Sequence, residues 1–581
     1  MLTCADAITE EAYLTALAAS LGTSLEPLDR IARRNCPLDD DQLIQAAAVG
    51  LLPLWEGRKL VWIIAPRDLT ARYLADPRQS VPSELRSFRL TSPERLSRFV
   101  ARHSQKALAR RAANELRRSR PSLSNAPRPH GIGRLATVVF ALLVVGIFAV
   151  IPVAIDFCAA LLCAVFLAAA ALRLLSVAFA PREPDRAVRI ADHELPIYTI
   201  ICPLYREASV VGNLVAALRA LDYPPEKLDV KLVIEADDHE TRRALAQLEL
   251  GPPFTIIAAP PFGPRTKPKA LNVALPFARG SFTVVYDAED VPEPDQLRRA
   301  FAAFTAADRR LACVQASLTI DNTTDSWLAR MFTANYAGQF DAFLPGLAAL
   351  RLPFPLGGSS NHFRTAVLRR AGGWDPYNVT EDADLGIRLH RLGYRCAALA
   401  SATYEEAPAR FRPWLKQRTR WYKGWMQTWL VHMRRPVRLV RELGVGGAVT
   451  FQLFLACNVL AALVHPIFMA GLCYSLLAQT PFGVMDSAPV FAATLLCGYL
   501  STIALDMIGL KRRRLLAHAW VLVLTPLYWF LLSLAAWRAL FQLLYDPQRW
   551  EKTEHGLART SRLLDAGYRH NSHDNITDLA T

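Results

Sequence analysis

Paired cysteines are missing from this chain. Its ten cysteines are scattered, with no C-x-x-C pair and no cysteine–histidine pair at the spacing of a zinc site. This argues against a zinc-binding module and against a disulfide framework. Half of the cysteines lie inside apolar runs, at Cys158, Cys163, Cys457, Cys473 and Cys497. The sequence therefore predicts reduced, buried thiols in a protein that faces the cytosol.

The chain also lacks a signal-peptide pattern at its start and an internal repeat. Its first residues, MLTCADAITEEAYLTALAAS, do not show a basic stretch followed by an apolar run. Any targeting to a membrane is therefore expected to come from internal segments.

Apolar residues, by contrast, are abundant. They make up 52% of the 581 residues, and the mean hydropathy is positive, which is unusual for a soluble enzyme and indicates membrane spans. The formal net charge of +15 fits nucleic acid, phospholipid headgroups or a nucleotide phosphate as anionic partners. Because the basic residues cluster beside apolar runs, lipid is the simplest explanation, and no nucleic-acid partner is expected.

The N-terminal part is predicted to be a small α/β domain with a basic linker, over residues 1–125. EEAYLTALAASLG has helical periodicity, and KLVWIIAP has the pattern of a buried strand. Two apolar runs follow, at 135–155 and 157–180, each long enough to span a bilayer. Asp156 leaves room for only a tight turn between them, and basic residues flank both outer ends. We therefore expect a transmembrane hairpin over 135–180 with both ends cytosolic.

Residues 190–440 are predicted to form a large α/β domain. Near-continuous apolar strands such as IYTIICPLY and FTVVYDA alternate with amphipathic helices such as TRRALAQLEL. This alternation indicates a mostly parallel sheet that is covered on both faces, with ligands at the carboxyl ends of the strands. Acidic and polar side chains gather at those ends: Tyr205, Glu207, Glu235, Asp237, Asp238, Asp287, Glu289 and Asp290.

A second membrane region is expected over 446–545, followed by a tail at 546–581. The apolar runs at 448–477 and 489–510 are long enough to span, and the second one ends at KRRR, which marks a cytoplasmic end. The run at 515–545 is interrupted by His518, Pro526 and Arg538. Hydropathy leaves three possibilities for it: one bent span, a tight hairpin, or a span with an interfacial helix.

The motif VVYDAED places Asp287, Glu289 and Asp290 directly after a buried strand. Clustered carboxylates are costly unless a cation neutralises them. A divalent ion that bridges two phosphates would explain them, because Mg²⁺ takes one or two carboxylates and completes its shell with phosphate and water. The alternative is an ordinary polar turn.

Two further motifs fall at helix starts. In NVTEDADLG, Thr380 can cap a helix whose first turn holds Glu381 and Asp382, or a carboxylate there can take the proton of an acceptor hydroxyl. In PPFGPRTKPKALNVAL, Lys267 and Lys269 precede a helix N-terminus, where phosphate is favoured. A solvated loop is the alternative for the second motif.

The segment LKQRTRWYKGWMQTWL packs four basic and four large aromatic residues into Leu415–Leu430. Tryptophan, tyrosine, lysine and arginine favour bilayer interfaces, so the segment can be the collar of a membrane helix. The same side chains can instead hold a sugar and a phosphate, and the pattern alone leaves both possibilities open.

Taken in order, P-x-Y-x-E, D-D, D-x-E-D, T-E-D and Q-x-x-R-W resemble the membrane-embedded processive glycosyltransferases of family 2, which include cellulose, chitin and hyaluronan synthases. The resemblance covers about 130–560 of the sequence. It implies a GT-A-like cytosolic domain inserted between transmembrane helices. Its most specific element is Q-R-T-R-W placed after T-E-D.

The resemblance also implies residue roles. Tyr205, Glu207 and Asp238, with Asp237, would line the uridine side, and Lys267 would contact the nucleotide. Asp287 and Glu289 stand where the family has D-x-D and would hold Mg²⁺ or Mn²⁺, with Asp290 sharing the ion. Asp382, beside Glu381, would be the general base. Gln417, Arg420 and Trp421 would bind the diphosphate and the acceptor sugar. The remaining expected acceptor and gating contacts are Asn361, His362, Thr553 and His555.

The last two of these belong to WEKTEHG, Trp550–Gly556, which resembles the F-x-V-T-x-K gating loop of cellulose synthase. A gating role requires a cytosolic C-terminus and hence an even number of spans. The alternative is an amphipathic interfacial tail.

The run LLPLWEGRKLVWIIAPRDL resembles the N-terminal domains of type II secretion ATPases, some of which bind cyclic di-GMP. The R-L-G-x-x-L-type start of that nucleotide site is not recognisable here. Regulation by cyclic di-GMP is therefore a hypothesis that rests on the resemblance of the domain alone.

The resemblance implies an inverting, processive glycosyltransferase of the bacterial inner membrane. It would use a UDP-sugar to extend a growing β-linked glycan, contact membrane lipid and pass the product to an envelope export partner. Two alternatives stay open. One is a non-processive transferase that glycosylates a lipid, and the other is a non-catalytic membrane scaffold or receptor component.

Overall fold

The structure is a computed structural model of the chain. It describes residues 9–66, 74, 88–127, 152–181, 190–478, 488–547, 549 and 551. Most of the first predicted span, at 135–155, lies outside these residues. So do Thr553, His555 and the rest of the predicted gating loop beyond 551.

In its described residues, the N-terminal domain combines a small sheet with four helices. Strands β1 and β2 form an antiparallel hairpin, and β3 pairs in parallel with β2. Side-chain caps start the helices, among them a capping box at Asp39 and Gln42. The elements are α1 (Glu10–Ser20), α2 (Asp40–Val49), β1 (Leu51–Glu56), β2 (Lys59–Ile64), β3 (Phe88–Leu90), α3 (Pro93–His103) and α4 (Gln105–Ser119). The predicted helix and strand of this domain are both confirmed.

An eight-stranded sheet forms the centre of the large domain. Its order is β6-β5-β4-β7-β10-β9-β11-β8. The strands are β4 (Tyr198–Leu204), β5 (Leu228–Glu235), β6 (Phe254–Ala259), β7 (Phe282–Val285), β8 (Val291–Pro292), β9 (Leu311–Ile320), β10 (Asn361–Arg364) and β11 (Arg395–Glu405). The predicted, mostly parallel sheet is confirmed, but β10 runs antiparallel to both of its neighbours and β8 is antiparallel to β11.

Helices cover both faces of this sheet. The first apolar helix, α5 (Pro152–Phe179), precedes this domain and is described below. The helices of the domain are α6 (Val211–Arg219), α7 (His239–Ala246), α8 (Lys267–Ala274), α9 (Gln296–Ala306), α10 (Trp327–Gly338), α11 (Leu344–Ala349), α12 (Thr365–Ala371), α13 (Glu381–Arg391) and α14 (Phe411–His432). One apolar core lies under α6 and α9. The other contains Leu108 of α4 together with Leu271 of α8, so the N-terminal domain packs directly on the sheet domain.

The C-terminal region is helical. It contains α15 (Pro436–Phe451), a π-helical turn (Gln452–Ala456), α16 (Cys457–Ala478), α17 (Ala488–Arg512), a 3₁₀ segment (Leu516–Leu524) and α18 (Thr525–Tyr545). Within the described ranges, four helical stretches are long and apolar enough to cross a membrane: Asp156–Phe179, Pro436–Leu477, Pro489–Arg512 and Leu516–Tyr545.

The structure differs from the predicted spans at Asp156, and it narrows the possibilities for the run at 515–545. The predicted tight turn at Asp156 is wrong, because α5 runs unbroken from Pro152 through that position. Aspartate is only a moderately poor helix former, unlike glycine or proline, so a single aspartate does not end a helix. The run at 515–545 is a 3₁₀ segment followed by one straight helix, which eliminates the tight hairpin.

Candidate active site

A cleft of about 420 Å³ opens where β4, β5 and β7 end at their carboxyl sides. Its wall combines side chains from the strand ends, from the N-termini of α8 and α13, and from α14. Twelve of the residues named from the sequence line it: Tyr205, Glu207, Glu235, Lys267, Asp287, Glu289, Thr380, Glu381, Asp382, Gln417, Arg420 and Trp421. The fold therefore brings together residues that are up to about two hundred positions apart, as expected for an open parallel sheet.

Lys267 stands at the centre of the charged part of the cleft. Its Nζ lies 2.6 Å from Oδ1 of Asp287 and donates a 2.7 Å hydrogen bond to the carbonyl of Gly358. Burial alone would lower the pKa of Lys267, but Asp287 and Glu381 raise it above its ordinary value. The lysine therefore stays charged, as a phosphate-binding group at a helix N-terminus must.

Glu381 and Asp382 open α13, and the two carboxyl groups differ in exposure. Glu381 is buried, whereas Asp382 is partly exposed to the cleft. The hydroxyl of Thr380 makes no capping hydrogen bond, so capping by that side chain does not explain the motif. Burial raises the pKa of both carboxyls, and Asp382 adds to the rise at Glu381, while Lys267 and Arg420 oppose it. A raised pKa is what a carboxylate needs to take a proton near neutral pH.

The three acids after β7 have different surroundings. Asp287 and Glu289 line the cleft, whereas Asp290 is buried. Its Oδ2 accepts hydrogen bonds from the backbone N–H of Asp287 at 2.7 Å and from the hydroxyl of Ser359. Burial, with Asp287 and Glu289 nearby, raises the pKa of Asp290 well above its ordinary value. Asp290 therefore supports the turn directly.

These acids fit a divalent ion shared with a ligand better than a closed protein site. Within the described ranges, no three His, Cys, Asp or Glu side chains group as a metal cage. Oδ1 of Asp290 is buried and has no hydrogen-bond partner in the described part of the chain. Mg²⁺ and Mn²⁺ at nucleotide sites take one or two carboxylates and complete their shells with phosphate oxygens and water. Asp287 and Glu289 supply such a pair of carboxylates. The ammonium group of Lys267 forms an ion pair with Asp287 and already places a positive charge there.

The aromatic-basic helix α14 forms the far wall of the cleft. The ring of Trp421 stacks near Tyr336, with centroids 6.3 Å apart. The guanidinium of Arg418 lies 4.5 Å from the Trp421 centroid and 4.4 Å from the Phe332 centroid. Arg418 is only 8% exposed, and its Nε and one terminal nitrogen have no hydrogen-bond partner among the described residues. The motif Q-x-x-R-W does not single out Arg418, so the sequence analysis missed it.

A second cavity, of about 180 Å³, adjoins the cleft between the apolar helices. The two cavities share five lining residues: Gln339, Arg418, Trp421, Trp425 and Phe454. Beyond them the second cavity is lined by residues of α5, α16, α17 and α18, including Arg173 and His465. The segment Leu415–Leu430 thus lies between a charged cleft and a helix-lined cavity, and its side chains line both.

Four predicted contact residues lie outside the cleft lining. Asp237 is exposed and pairs with Arg265 at 2.7 Å. Asp238 caps α7, accepting from Thr241 N at 3.1 Å, and also accepts from the N–H of Arg206 at 2.5 Å. It therefore shapes the turn after β4, which carries Tyr205 and Glu207.

Asn361 and His362 require a correction. Both residues belong to the strand β10, where their side chains are buried. Both nitrogens of His362 are engaged, with Tyr198 at 2.8 Å and Gln296 at 3.2 Å, and burial lowers the pKa of His362 to about 3. The amide of Asn361 donates to the Gly357 carbonyl at 2.6 Å. The Asn361 side chain thus holds Gly357 from behind, the His362 ring joins β10 to Tyr198 and Gln296, and neither residue lines the cleft.

Lys269 also turns away from the cleft. It is fully buried, 3.4 Å from the carboxylate of Glu235, and donates to the carbonyl of Pro260. Of the two lysines in the motif, only Lys267 faces the cleft. Several further lining residues have no predicted role: Tyr336, Gln339, Glu405, Glu406 and Trp425. Trp425 belongs to the aromatic-basic segment Leu415–Leu430, whereas the other four come from α10 and its π-turn and from the end of β11, where no local pattern marks them.

The comparisons with known proteins agree with this geometry. Residues 196–424 match the family model "Glycosyltransferase like family 2". The chain is 25% identical over 242 residues to the probable glycosyltransferase YdaM of Bacillus subtilis (strain 168), covering 40% of this chain and 56% of that protein. It is 28% identical over 234 residues to the beta-monoglucosyldiacylglycerol synthase of Synechocystis sp., covering 39% and 47%.

A third relative is the probable glucomannan 4-beta-mannosyltransferase 1 of Arabidopsis thaliana, 26% identical over 246 residues, covering 41% of this chain and 44% of that protein. The chain thus spans about half the length of the curated relatives it matches. Among solved structures, the mannosyltransferase PcManGT from Pyrobaculum calidifontis in complex with GDP-Man and Mn²⁺ is 21% identical. It aligns over 66% of this chain and 99% of its own, with a TM-score of 0.42.

The match over 196–424 begins just before β4 and ends within α14. It therefore contains the sheet and nearly every residue of the cleft, and leaves the N-terminal domain and the apolar helices outside. Residues 196–424 thus resemble a glycosyltransferase domain of family 2.

Proposed function

We propose that the protein is an inverting, processive glycosyltransferase that uses a UDP-sugar to make a β-linked polysaccharide and secretes it. The observation that carries this proposal is the arrangement in one cleft of a basic group, a pair of strand-end acids and a partly exposed carboxylate. Lys267, Asp287 and Asp382 all line the cleft, with the Trp421 ring on its far wall. The arrangement supplies separate places for the diphosphate and the acceptor.

The donor is proposed to bind at the carboxyl ends of β4, β5 and β7. Tyr205 and Glu207 would face the uridine, while Lys267 and Arg420 would hold the diphosphate. Positive groups there stabilise the charge that develops on the departing UDP. When bound, Mg²⁺ or Mn²⁺ at Asp287 and Glu289 would add Lewis-acid stabilisation of that charge.

The acceptor is proposed to lie against Trp421, with its terminal hydroxyl directed at the anomeric carbon. Asp382 would take the hydroxyl proton as the oxygen attacks, and the C–O bond to UDP would break on the opposite side. A single displacement of this kind inverts the anomeric centre, so an α-linked donor gives a β-glycoside. Burial, together with Asp382, raises the pKa of Glu381, and Glu381 would not need to touch the substrate.

Processivity is supported by the cavity between the apolar helices. Because Trp421 and Arg418 line both cavities, a sugar that leaves the acceptor position has a place to enter without crossing bulk solvent. We propose that the helices span the inner membrane of a bacterium, with the transferase domain in the cytoplasm. Thr553 and His555 would then reach the nucleotide from the cytosolic tail.

The second candidate is a non-processive lipid glycosyltransferase. One relative is named as a synthase of a glucosylated diacylglycerol, and the same helix-lined cavity could admit a lipid acceptor. A relative named as a glucomannan mannosyltransferase supports the polymer instead. The two candidates share every nucleotide contact and differ in their product.

The proposal is tested by measuring nucleotide release from membrane vesicles that contain the protein. UDP-glucose, UDP-N-acetylglucosamine and UDP-galactose are screened with Mg²⁺ or Mn²⁺, beside an Asp382→Asn variant. We expect metal-dependent release with one donor, reduced about 10²- to 10⁴-fold in the variant. Sizing the product then separates a polymer from a single-sugar glycolipid. Full activity of Asp382→Asn would contradict the assignment of Asp382 as the general base. If the protein kept its cellular function without any nucleotide release, a scaffold would be favoured.

Two proposed partners need their own tests. Titration of the full chain with cyclic di-GMP by calorimetry tests the proposed nucleotide regulation of the N-terminal domain, and no heat of binding would remove it. An envelope export partner is tested by crosslinking in intact cells during synthesis.

A further inference from the structure

A short loop connects α12 to the catalytic pair. It runs from Asp375 to Thr380 and leads into Glu381 and Asp382 at the start of α13. The carboxyl group of Asp375 is completely buried, although it lies in a loop. Buried carboxylates need partners, so the contacts of Asp375 reveal what holds this loop.

Apart from the N–H of Tyr377 within the loop, which donates to Oδ1 at 3.1 Å, the hydrogen bonds to this carboxyl group come from the segment that follows the N-terminal domain. The backbone N–H of Asn125 donates to Oδ2 of Asp375 at 2.5 Å, and the Ser124 hydroxyl lies 3.4 Å from Oδ1. The Asn125 side chain donates to the carbonyl of Tyr377 at 2.9 Å. Arg434, at the end of α14, in turn donates to the carbonyl of Ser124 at 2.6 Å. Residues 124 and 125 are thus fixed between the loop and the aromatic-basic helix.

The other sides of the loop are held by elements that line the cleft. Thr266, directly before Lys267, donates to the Pro376 carbonyl at 3.1 Å. On α14, Gln427 accepts from the N–H of Val379 at 3.1 Å. The loop therefore connects three cleft-forming elements, α8, α13 and α14. The contacts to Ser124 and Asn125 come from a segment that precedes the whole matched stretch 196–424.

A second connection runs beside the first. The side chain of Asn272, on α8, donates to the carbonyl of Ala112 on α4 at 3.0 Å and to the carbonyl of Trp374 at 2.8 Å. It also accepts from the N–H of Trp374 at 3.0 Å. The N-terminal domain thus contacts the helix that begins with Lys267, and Asn272 of that helix holds the residue before Asp375.

A general base has to be held within a fraction of an ångström of the proton it removes. Asp382 lies seven positions after Asp375, at the end of a loop that has little regular structure of its own. The N–H of Asn125 and the hydroxyl of Ser124 are therefore donors that the buried carboxylate needs in addition to the N–H of Tyr377, and their loss is expected to loosen the loop.

We propose that Asp375 is a positioning residue through which residues 124–125 of the N-terminal segment hold the loop that carries Glu381 and Asp382. This inference rests on the proposed function, in which Asp382 is the base. The N-terminal domain then sets the catalytic rate through the seating of one loop, without touching the substrate.

The test uses the full chain in detergent or vesicles with two variants and a matched control. Asp375→Asn replaces an acceptor oxygen by an amide that opposes the N–H of Asn125. Asn125→Ala removes the contact to Tyr377 and is the milder change, should Asp375→Asn fold poorly. Asn114→Ala is the control, since its side chain donates to Arg110 in its own helix α4.

Hydrogen exchange of the amides at 377–382 is the first readout. We expect exchange about tenfold faster in Asp375→Asn and several-fold faster in Asn125→Ala, with the control unchanged. Nucleotide release is the second: kcat should fall about tenfold in Asp375→Asn, while the donor KM stays within about twofold. A general loss of packing would change KM and the exchange of distant segments as well.

Each outcome decides the proposal. Faster loop exchange together with a lower kcat and an unchanged KM supports it. Unchanged exchange in both variants overturns it, and so does faster exchange with an unchanged kcat. A wild-type protein that releases no nucleotide with any donor overturns the proposed function and this inference together, whereas an active wild type with unaffected variants overturns this inference alone.

Discussion

At the scale of single residues, the cleft is organised by the charge of Lys267. Its ammonium contacts Asp287 and the Gly358 carbonyl, and its field reaches Glu381 and Asp382. The same cation therefore stabilises the strand-end acids and lowers the proton affinity of the proposed base. A change at this residue should affect donor binding and proton transfer at the same time.

The pH dependence of transfer tests this coupling. Burial raises the pKa of Asp382, and a base works only when it is ionised. The rate should therefore be full above that raised pKa and fall as the pH drops through it, at a higher pH than an ordinary aspartate requires. Lys267→Gln removes a cation that opposes the rise, so the acidic limb of kcat at saturating donor should move to a still higher pH.

The control for this profile is Arg309→Gln, which changes the net charge equally at an exposed position. We expect its profile to match that of the wild type. An acidic limb at the same pH in Lys267→Gln and wild type would contradict the coupling between the two residues.

Arg418→Lys tests the buried guanidinium beside Trp421. Arginine lies flat between the rings of Phe332 and Trp421, and lysine keeps the charge but has no planar group to stack. We expect nucleotide release to fall about tenfold because Trp421 loses the plane that orients it. Lys416→Arg, an exposed cation on the same helix, should leave the rate unchanged. Equal rates in Arg418→Lys and wild type would remove Arg418 from the site.

At the scale of elements, α14 and α13 are fitted closely at the loop before the catalytic pair. Gly424 of α14 faces Thr380, and a Cβ at Gly424 would lie 2.7 Å from the Cβ of Thr380. Two non-bonded carbon atoms do not approach this closely. The helix and the loop can therefore pack at this distance only because residue 424 is a glycine. The aromatic-basic segment Leu415–Leu430 thus needs a glycine at position 424 among its large side chains.

Gly424→Ala should therefore force α14 and the loop apart. We expect a loss of stability of about 1–3 kcal/mol, as for overpacked cores, together with a lower kcat. Thermal unfolding in detergent and nucleotide release measure the two effects. Gly446→Ala is the matched control, because its Cβ would meet Leu352 at an ordinary 3.9 Å. A stable and fully active Gly424→Ala protein would contradict the close fit.

At the scale of the whole molecule, three parts meet at the cleft: the N-terminal domain behind α8, the sheet domain, and the apolar helices beyond α14. The helix-lined cavity joins the cleft at Trp421 and Trp425. A product path through this cavity separates a processive enzyme from a single-transfer one.

Ala462→Trp should obstruct that path, since Ala462 lines the cavity of about 180 Å³. For a processive enzyme we expect loss of long product and early arrest of nucleotide release, with initial turnover kept. Product length on gels and the time course of release measure this. Leu496→Trp, on the outer surface of α17 and 57% exposed, should behave like wild type. Product of wild-type length from Ala462→Trp would contradict the path.

Local pattern was enough to predict much of the fold. Apolar runs such as IYTIICPLY and the helix TRRALAQLEL formed the predicted elements, because a strand buried on both faces must be continuously apolar. The motifs also brought Lys267, Asp287, Asp382 and Trp421 to one cleft, since the carboxyl ends of parallel strands share an edge.

By itself, the sequence determined the α/β class, the apolar helices and the main charged residues of the cleft, because these depend on periodicity and on residue type at strand and helix ends. Only the tertiary structure decided that His362 is a buried support, that Arg418 is enclosed by aromatic rings, and that Asp375 is held by residues 250 positions earlier. Contacts between distant segments depend on how the elements pack, and no local pattern encodes them.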